Sequence, residues 1–297
     1  MQQLLPESDI LRWNLQDIKR EKLQEIRLRS EKPLYLTYEG MEQERKDVIV
    51  RKADVERIFQ WLCGYGVYAY CDEIAKGYIT IQGGHRVGIG GQVLFDGAGK
   101  VTHMKYVSSL LIRVGHEVRG AANMILDKLY KKERLQNTLI LSPPGCGKTT
   151  LLRDLVRTVS DGNRIAKGCN VSLVDEREEL AAMYEGLPTA DIGKRTDVIS
   201  GGEKAAAMEM CLRALGPEVV AVDEIYSERD LQAVRRLYGC GCVILATYHA
   251  DSFEEFREKP FGAEVLKNRV FQRFVVLGRK NGKYVVEEVF DEHGDPV

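Results

Sequence analysis

Apolar and polar residues alternate between residues 23 and 36, with Ile26 and Leu28, then Leu34 and Leu36, on one side. Arg27 and Arg29 fall between them. A period of two is that of a half-buried strand, so these arginines take the face opposite the core. From Asp54 to Cys63 the period lengthens, and Val55, Ile58, Phe59 and Leu62 line one side of a helix. A glycine-rich strand region follows over 77–95, with turns at Gly83-Gly84 and Gly97-Ala98-Gly99. Residues 121–135 predict a helix with a basic end. Together these elements predict a small α+β domain over residues 1–135.

The pattern then changes. Apolar runs at 138–141, 171–174, 218–222 and 243–247 predict strands. Helical stretches begin at Thr149, Ala205 and Glu228. Such alternation predicts an α/β domain over 136–297, a parallel sheet with helices on both faces. Two strands, 274–277 and 284–289, joined by Asn281-Gly282, predict a closing hairpin.

Composition narrows the class. The chain has 297 residues, enough for two domains, with 44% hydrophobic and 29% charged residues, an ordinary globular balance. No apolar run reaches the roughly 18–20 residues that cross a bilayer. The start lacks a basic segment followed by an apolar one, so the expected compartment is the cytosol. Seven cysteines at scattered positions read as reduced thiols, and Cys240-Gly241-Cys242 has no second pair at zinc-site spacing. Net charge is −1, but residues 1–136 carry 22 Lys+Arg against 18 Asp+Glu, and residues 137–297 carry 21 against 26. This polarity favours head-to-tail contact between copies and lacks the strongly basic footprint of a nucleic-acid binder.

The strongest chemical signal is the run from Thr138 to Thr150. An apolar strand enters, Ser142-Pro143-Pro144-Gly145-Cys146-Gly147 turns, and Lys148-Thr149-Thr150 opens a helix. Small residues let backbone N–H groups converge on a phosphate, and the helix N-terminus adds favourable partial charge. Pro144 through Thr150 would cradle the phosphates of ATP. Lys148 would reach the β/γ-phosphates, and Thr149 would hold Mg²⁺. Ser142 stands where the usual pattern has glycine.

Two further strands end in acids. Residues 218–222 lead into Asp223-Glu224, and 171–174 lead into Asp175-Glu176. Parallel strands place their C-terminal ends at one edge, where ligands bind. Asp223 would sit beside the metal and Glu224 would orient the attacking water, with Glu176 a competitor for that role. A third strand ends in Thr247-Tyr248-His249, whose polar groups could contact the γ-phosphate. Arginines that stabilise transition-state charge are sought among Arg195, Arg213 and Arg229, and among Arg27, Arg29, Arg86 and Arg113.

Across residues 20–250 the chain resembles the sporulation (stage III, AA) branch of the secretion-type ATPases, the traffic ATPases of type II and type IV secretion and type IV pili. The resemblance rests on Glu25-Ile26-Arg27-Leu28-Arg29, Gly83-Gly84-His85-Arg86-Val87-Gly88, the loop Pro143 to Thr150, Asp175-Glu176-Arg177, Asp191 to Val198, and Asp223-Glu224-Ile225. It implies a RecA-like P-loop ATPase core behind the smaller α+β domain. It implies homo-oligomeric rings, hexamers, with ATP between subunits and Arg27 or Arg29 reaching it. It implies a place at the mother-cell face of the forespore membrane, held there by membrane proteins of a secretion-like channel. Two rival classes share the core: a nucleic-acid-stimulated ATPase, and a scaffold that ATP closes without turnover.

Overall fold

The computed structural model describes residues 1–297 apart from 2, 39, 98, 100, 116, 117, 281 and 282, and apart from the side chains of 20, 72 and 283. The chain divides into two compact units: Met1–His116 with Ala182–Thr189, and Glu117–Ala181 with Ala190–Val297.

The first unit contains α1 (Glu7–Arg12), the strands β1 (Leu23–Arg29), β2 (Lys32–Tyr38) and β3 (Met41–Val50), then α2 (Lys52–Leu62) and α3 (Cys71–Ala75), and finally β4 (Tyr78–Ile81), β5 (His85–Phe95) and β6 (Val101–Arg113). The strands form one antiparallel sheet in the order β3-β2-β1-β6-β5-β4. The alternation is realised as expected: Ile26, Leu28, Leu34 and Leu36 are buried with Val87, Leu110 and Ile112, and α2 adds Val55, Ile58 and Leu62 to that core. Arg27 pairs across the sheet with Tyr35 and Leu111. The Arg29 guanidinium lies 5.6 Å from the Tyr35 ring centre.

The chain continues through α4 (Leu126–Leu129), β7 (Tyr130–Lys131), β8 (Arg134–Leu135), β9 (Thr138–Ser142), α5 (Lys148–Asp161), β10 (Val171–Asp175), β11 (Met183–Tyr184), β12 (Leu187–Pro188) and β13 (Thr196–Ser200). After these come α6 (Lys204–Ala214), β14 (Val219–Val222), α7 (Glu228–Gly239), β15 (Val243–His249), α8 (Phe253–Glu258), α9 (Pro260–Asn268), β16 (Arg273–Lys280) and β17 (Lys283–Asp291). The hairpin β11–β12 groups with the first unit.

The sheet of the second unit runs β13-β10-β14-β15-β9-β16-β17, parallel except for β17. Every residue of β9, β10 and β14 is buried, which is why these strands read as unbroken apolar runs. Leu139, Leu141, Val220, Val222, Ile244 and Ala246 share one face and pack with residues of α6, α7, α8 and α9. Helix α5 meets β9, β10 and β15, and Leu151, Leu152 and Leu155 on it are buried outside that cluster, as a helix on the other face requires. The expected turn Asn281-Gly282 lies outside the described residues; the strands on either side of it form the antiparallel pair β16–β17.

Residues 121–135 differ from the expected helix. A 3₁₀ turn (Ala121–Met124) leads into α4, and the chain then forms the small hairpin β7–β8. Ile125, Leu126 and Leu129 supply an apolar stripe for one turn only. The following Lys131-Lys132-Glu133 has nothing to bury, and Lys132 and Glu133 adopt the left-handed turn conformation, φ +50° and +63°. Because the units divide near residue 116 rather than at 135, this segment goes with the second unit.

Candidate active site

Strands β9, β10, β14 and β15 are parallel neighbours, so their C-terminal ends share one edge. That edge carries Ser142, Asp175-Glu176, Asp223-Glu224 and the stretch from Thr247 to His249, with His249 in register opposite Ser142.

After β9 the chain turns through Pro144, Gly145, Cys146 and Gly147 into α5. Gly145 and Gly147 take φ of +73° and +87°, where a side chain is strained. A Cβ on Gly147 would also stand 2.9 Å from Cγ of Tyr284. No side chain caps α5, whose N-cap is Gly147. The first helical amides, those of Lys148, Thr149 and Thr150, therefore have no intrahelical acceptor and suit an anion. Ser142 is buried and donates its hydroxyl to the Pro143 carbonyl at 2.7 Å, so the serine satisfies itself locally.

Lys148 is buried at the first position of α5. Its Nζ lies 2.9 Å from Nδ1 and 3.2 Å from Nε2 of His249. Nε2 of the same ring lies 2.8 Å from Oε1 of Glu224. A carboxylate only accepts, so a ring that donates Nε2–H to Glu224 takes the ammonium at Nδ1, the nearer nitrogen. Burial pulls the Lys148 ammonium below the usual lysine range, against the opposing pull of the Glu224 and Asp223 carboxylates.

Thr149 and Asp223 are brought together: Oγ1 of Thr149 stands 3.4 Å from Oδ2 of Asp223. The other carboxylate oxygen accepts from the Thr247 hydroxyl at 2.5 Å, and that hydroxyl accepts from the Glu224 N–H at 2.8 Å. Hydroxyl and carboxylate oxygens are the hard donors Mg²⁺ takes, usually one or two from protein with water and phosphate completing the shell. Among the described residues no group of three or more His, Cys, Asp or Glu is placed to hold a metal. The Thr149 hydroxyl and the Asp223 carboxylate are donors of the kind an ion shared with phosphate oxygens takes.

Glu224 sits at φ +52°, a conformation that costs a non-glycine residue about 1–3 kcal/mol and persists only when its surroundings fix it. Those surroundings are explicit. Besides His249 and Thr247, Nη1 of Arg177 lies 3.0 Å from Oε2 of Glu224, and Nζ of Lys204 donates to its main-chain carbonyl at 2.6 Å. Burial raises the Glu224 pKa, but the His249 hydrogen bond and the Arg177 charge outweigh it, and the net shift is downward.

The second acidic end is organised differently. Asp175 is buried and accepts N–H bonds from Glu179, Leu180 and Ala181 at 3.0, 3.0 and 2.8 Å, which folds the following loop around it. Burial pushes its pKa up against those three donors. Glu176 is paired with Lys204 at 3.2 Å. Of the two competing glutamates, Glu224 is joined to Lys148 through His249, and Glu176 is joined to Lys204.

Arg195 is not brought to this edge. It precedes β13, at the N-terminal end of a parallel strand, and its Nη1 donates to the Ser160 carbonyl near the end of α5 at 3.3 Å. Its main-chain carbonyl accepts from Val171, where β10 begins. Arg213 is paired with Glu209, and Arg229 is largely exposed. Arg27 and Arg29 belong to the first unit, on β1. Two residues to which the sequence assigns no role join the site: Arg177, inside a charge run, and Lys204, after a Gly-Gly turn.

Solved structures of the same fold include the pilus retraction motor PilT with bound ADP (TM-score 0.65, 13% identity, 96% of this chain and 82% of that one) and the Legionella pneumophila ATPase DotB (TM-score 0.61, 12% identity, 91% and 77%). The chain thus shares the fold of these two proteins. Among curated proteins, Stage III sporulation protein AA of Bacillus subtilis is 34% identical over 268 residues, 90% of this chain and 83% of that protein. The family described as sporulation stage III, protein AA, matches residues 5–297, from the first core leucines to the last residue, and the chain belongs to it.

Proposed function

We propose that the chain is a Mg²⁺-dependent ATPase of the secretion type. It works as a homo-oligomeric ring, a hexamer, and couples hydrolysis to motion of its N-terminal domain at a secretion-like channel of the forespore membrane. The observation that carries the reading is the hydrogen-bonded series Lys148, His249, Glu224 at the mouth of an uncapped helix, with Thr149 and Asp223 alongside.

In this reading the loop amides and Lys148 hold the ATP phosphates. Thr149 and Asp223 would hold Mg²⁺, which when bound neutralises phosphate charge. Glu224 orients a water and takes its proton as the water oxygen bonds to the γ-phosphorus and the bond to the β-phosphate oxygen breaks. His249 links Glu224 to the phosphate-binding lysine, so γ-phosphate arrival or loss is felt at the carboxylate. Arg27 and Arg29 are assigned the trans role of stabilising charge in a neighbour's site. Membrane proteins of the channel hold the ring at the mother-cell face, and no stable nucleic-acid partner is expected. The described residues contain no helix long and apolar enough to cross a membrane.

Phosphate release and ATP binding, measured on two variants, test the assignment. Lys148→Ala should abolish ATP binding. Glu224→Gln should bind ATP within about threefold of the parent and lose at least about 100-fold in turnover. Normal turnover in Glu224→Gln would remove Glu224 from the water-orienting role.

A further inference from the structure

Lys204 opens helix α6 and is 4% exposed, a buried cation with three N–H donors to place. It has three partners. Its Nζ donates to the Glu224 carbonyl at 2.6 Å, is paired with Oε2 of Glu176 at 3.2 Å, and lies 4.3 Å from the Tyr226 ring centre. A buried charge persists only when so paired. These partners come from the ends of two neighbouring strands, β10 and β14, and from the residue two places beyond Glu224.

The peptide flanks of Glu224 are thereby clamped on both sides. Its N–H is held by Thr247 and its carbonyl by Lys204. Both clamps bear on a residue whose backbone would otherwise leave φ +52°. A change in that dihedral swings the carboxylate away from His249 and Arg177. Misplacement of about 1 Å costs a catalytic group on the order of 100-fold. The hydrogen bond to the Glu224 carbonyl is the route by which Lys204 bears on this turn.

We infer that Lys204 is the positioning residue of this site: it fixes the Glu224 turn through the main chain and takes Glu176, not Glu224, as its carboxylate partner, so that the Glu224 carboxylate faces His249 and Arg177. The inference rests on the ATPase reading for its kinetic consequence, but its structural part is read separately.

The experiment compares the full chain with Lys204→Met and Lys204→Arg by turnover, nucleotide affinity and amide hydrogen exchange at residues 223–226. Lys204→Gln, which keeps a neutral donor, replaces the methionine variant where the latter fails to fold. Removing the cation should speed exchange at the Glu224 amide at least about tenfold, lower kcat about 30-fold or more, and leave nucleotide affinity within about threefold. Lys204→Arg should restore most of both the protection and the rate. Parent-like exchange and kcat in Lys204→Met would overturn the inference, as would faster exchange with unchanged kcat. Affinity that falls in step with kcat would mark Lys204 as merely structural and overturn it too. If the parent itself shows no turnover, the ATPase reading fails, and the exchange data still decide whether Lys204 holds the turn.

Discussion

Glu224 shows how a half-buried side chain can be kept charged. Burial alone would raise its pKa, and the His249 hydrogen bond with the Arg177 charge reverses the sign. A carboxylate whose folded pKa is lowered adds stability above its ordinary value, and loses it as pH falls through the lowered one. Turnover should therefore be indifferent to this group around neutrality and fall only on the acid side. Arg177→Met removes one of the opposing charges and leaves the burial. Its acid limb should move toward neutral pH in a kcat profile taken from about pH 4 to 8 at saturating ATP. Superimposable limbs would show that Arg177 does not tune Glu224. The two halves of this arrangement differ in how readable they were. Lys148, Thr149 and Gly147 are contiguous, and their chemistry dictates their spacing. Arg177 and Lys204 are distant from Glu224 in sequence: the parallel register of β10 and β14 brings Arg177 to it, and the start of α6 brings Lys204.

At the scale of elements, β9, β10 and β14 are legible because burial on both faces demands apolar runs, whereas β13, a half-buried edge strand, carries no such run and is absent from the sequence expectation. The ends were less so: β15 runs on to His249, past the apolar stretch, because Tyr248 and His249 still pair with β9. The segment 121–135 was misread because its stripe lasts one turn and its basic end belongs to a turn. Aromatic packing on one side of the sheet was also invisible in the sequence pattern. Phe274 on β16 is 1% exposed, and its ring centre lies 5.2, 5.7 and 6.4 Å from those of Phe253, Phe256 and Phe271. It ties α8 to the strand beside β9, whose end launches the phosphate loop. Phe274→Ala should cost about 3–5 kcal/mol in urea unfolding. A loss under about 1 kcal/mol would mean that the cluster repacks and does not hold the sheet.

At the scale of the whole molecule, the candidate site would take its binding, metal and base groups from one unit, and two of that unit's arginines at this edge are already engaged with a carboxylate and with carbonyls. Arg177 is committed to Glu224, Arg153 donates to the carbonyls of Leu180 and Glu179, and Arg195 lies at the other edge. Phosphoryl transfer gains most from a cation that arrives with the assembled state, because that makes turnover conditional on assembly. The opposite charge balance of residues 1–136 and 137–297 favours a head-to-tail contact, which closes into a ring when the rotation permits. Light scattering with and without ATP and Mg²⁺, with phosphate release followed in the same samples, should show a nucleotide-dependent rise in mass. The rise should weaken as salt shortens the screening length to about 3 Å near 1 M. Turnover per chain should climb with protein concentration, and Arg27→Ala or Arg29→Ala should lower it about tenfold or more in rings of unchanged mass. Full turnover from a particle of monomer mass would sink the trans-arginine idea, since a single copy would then complete the site unaided.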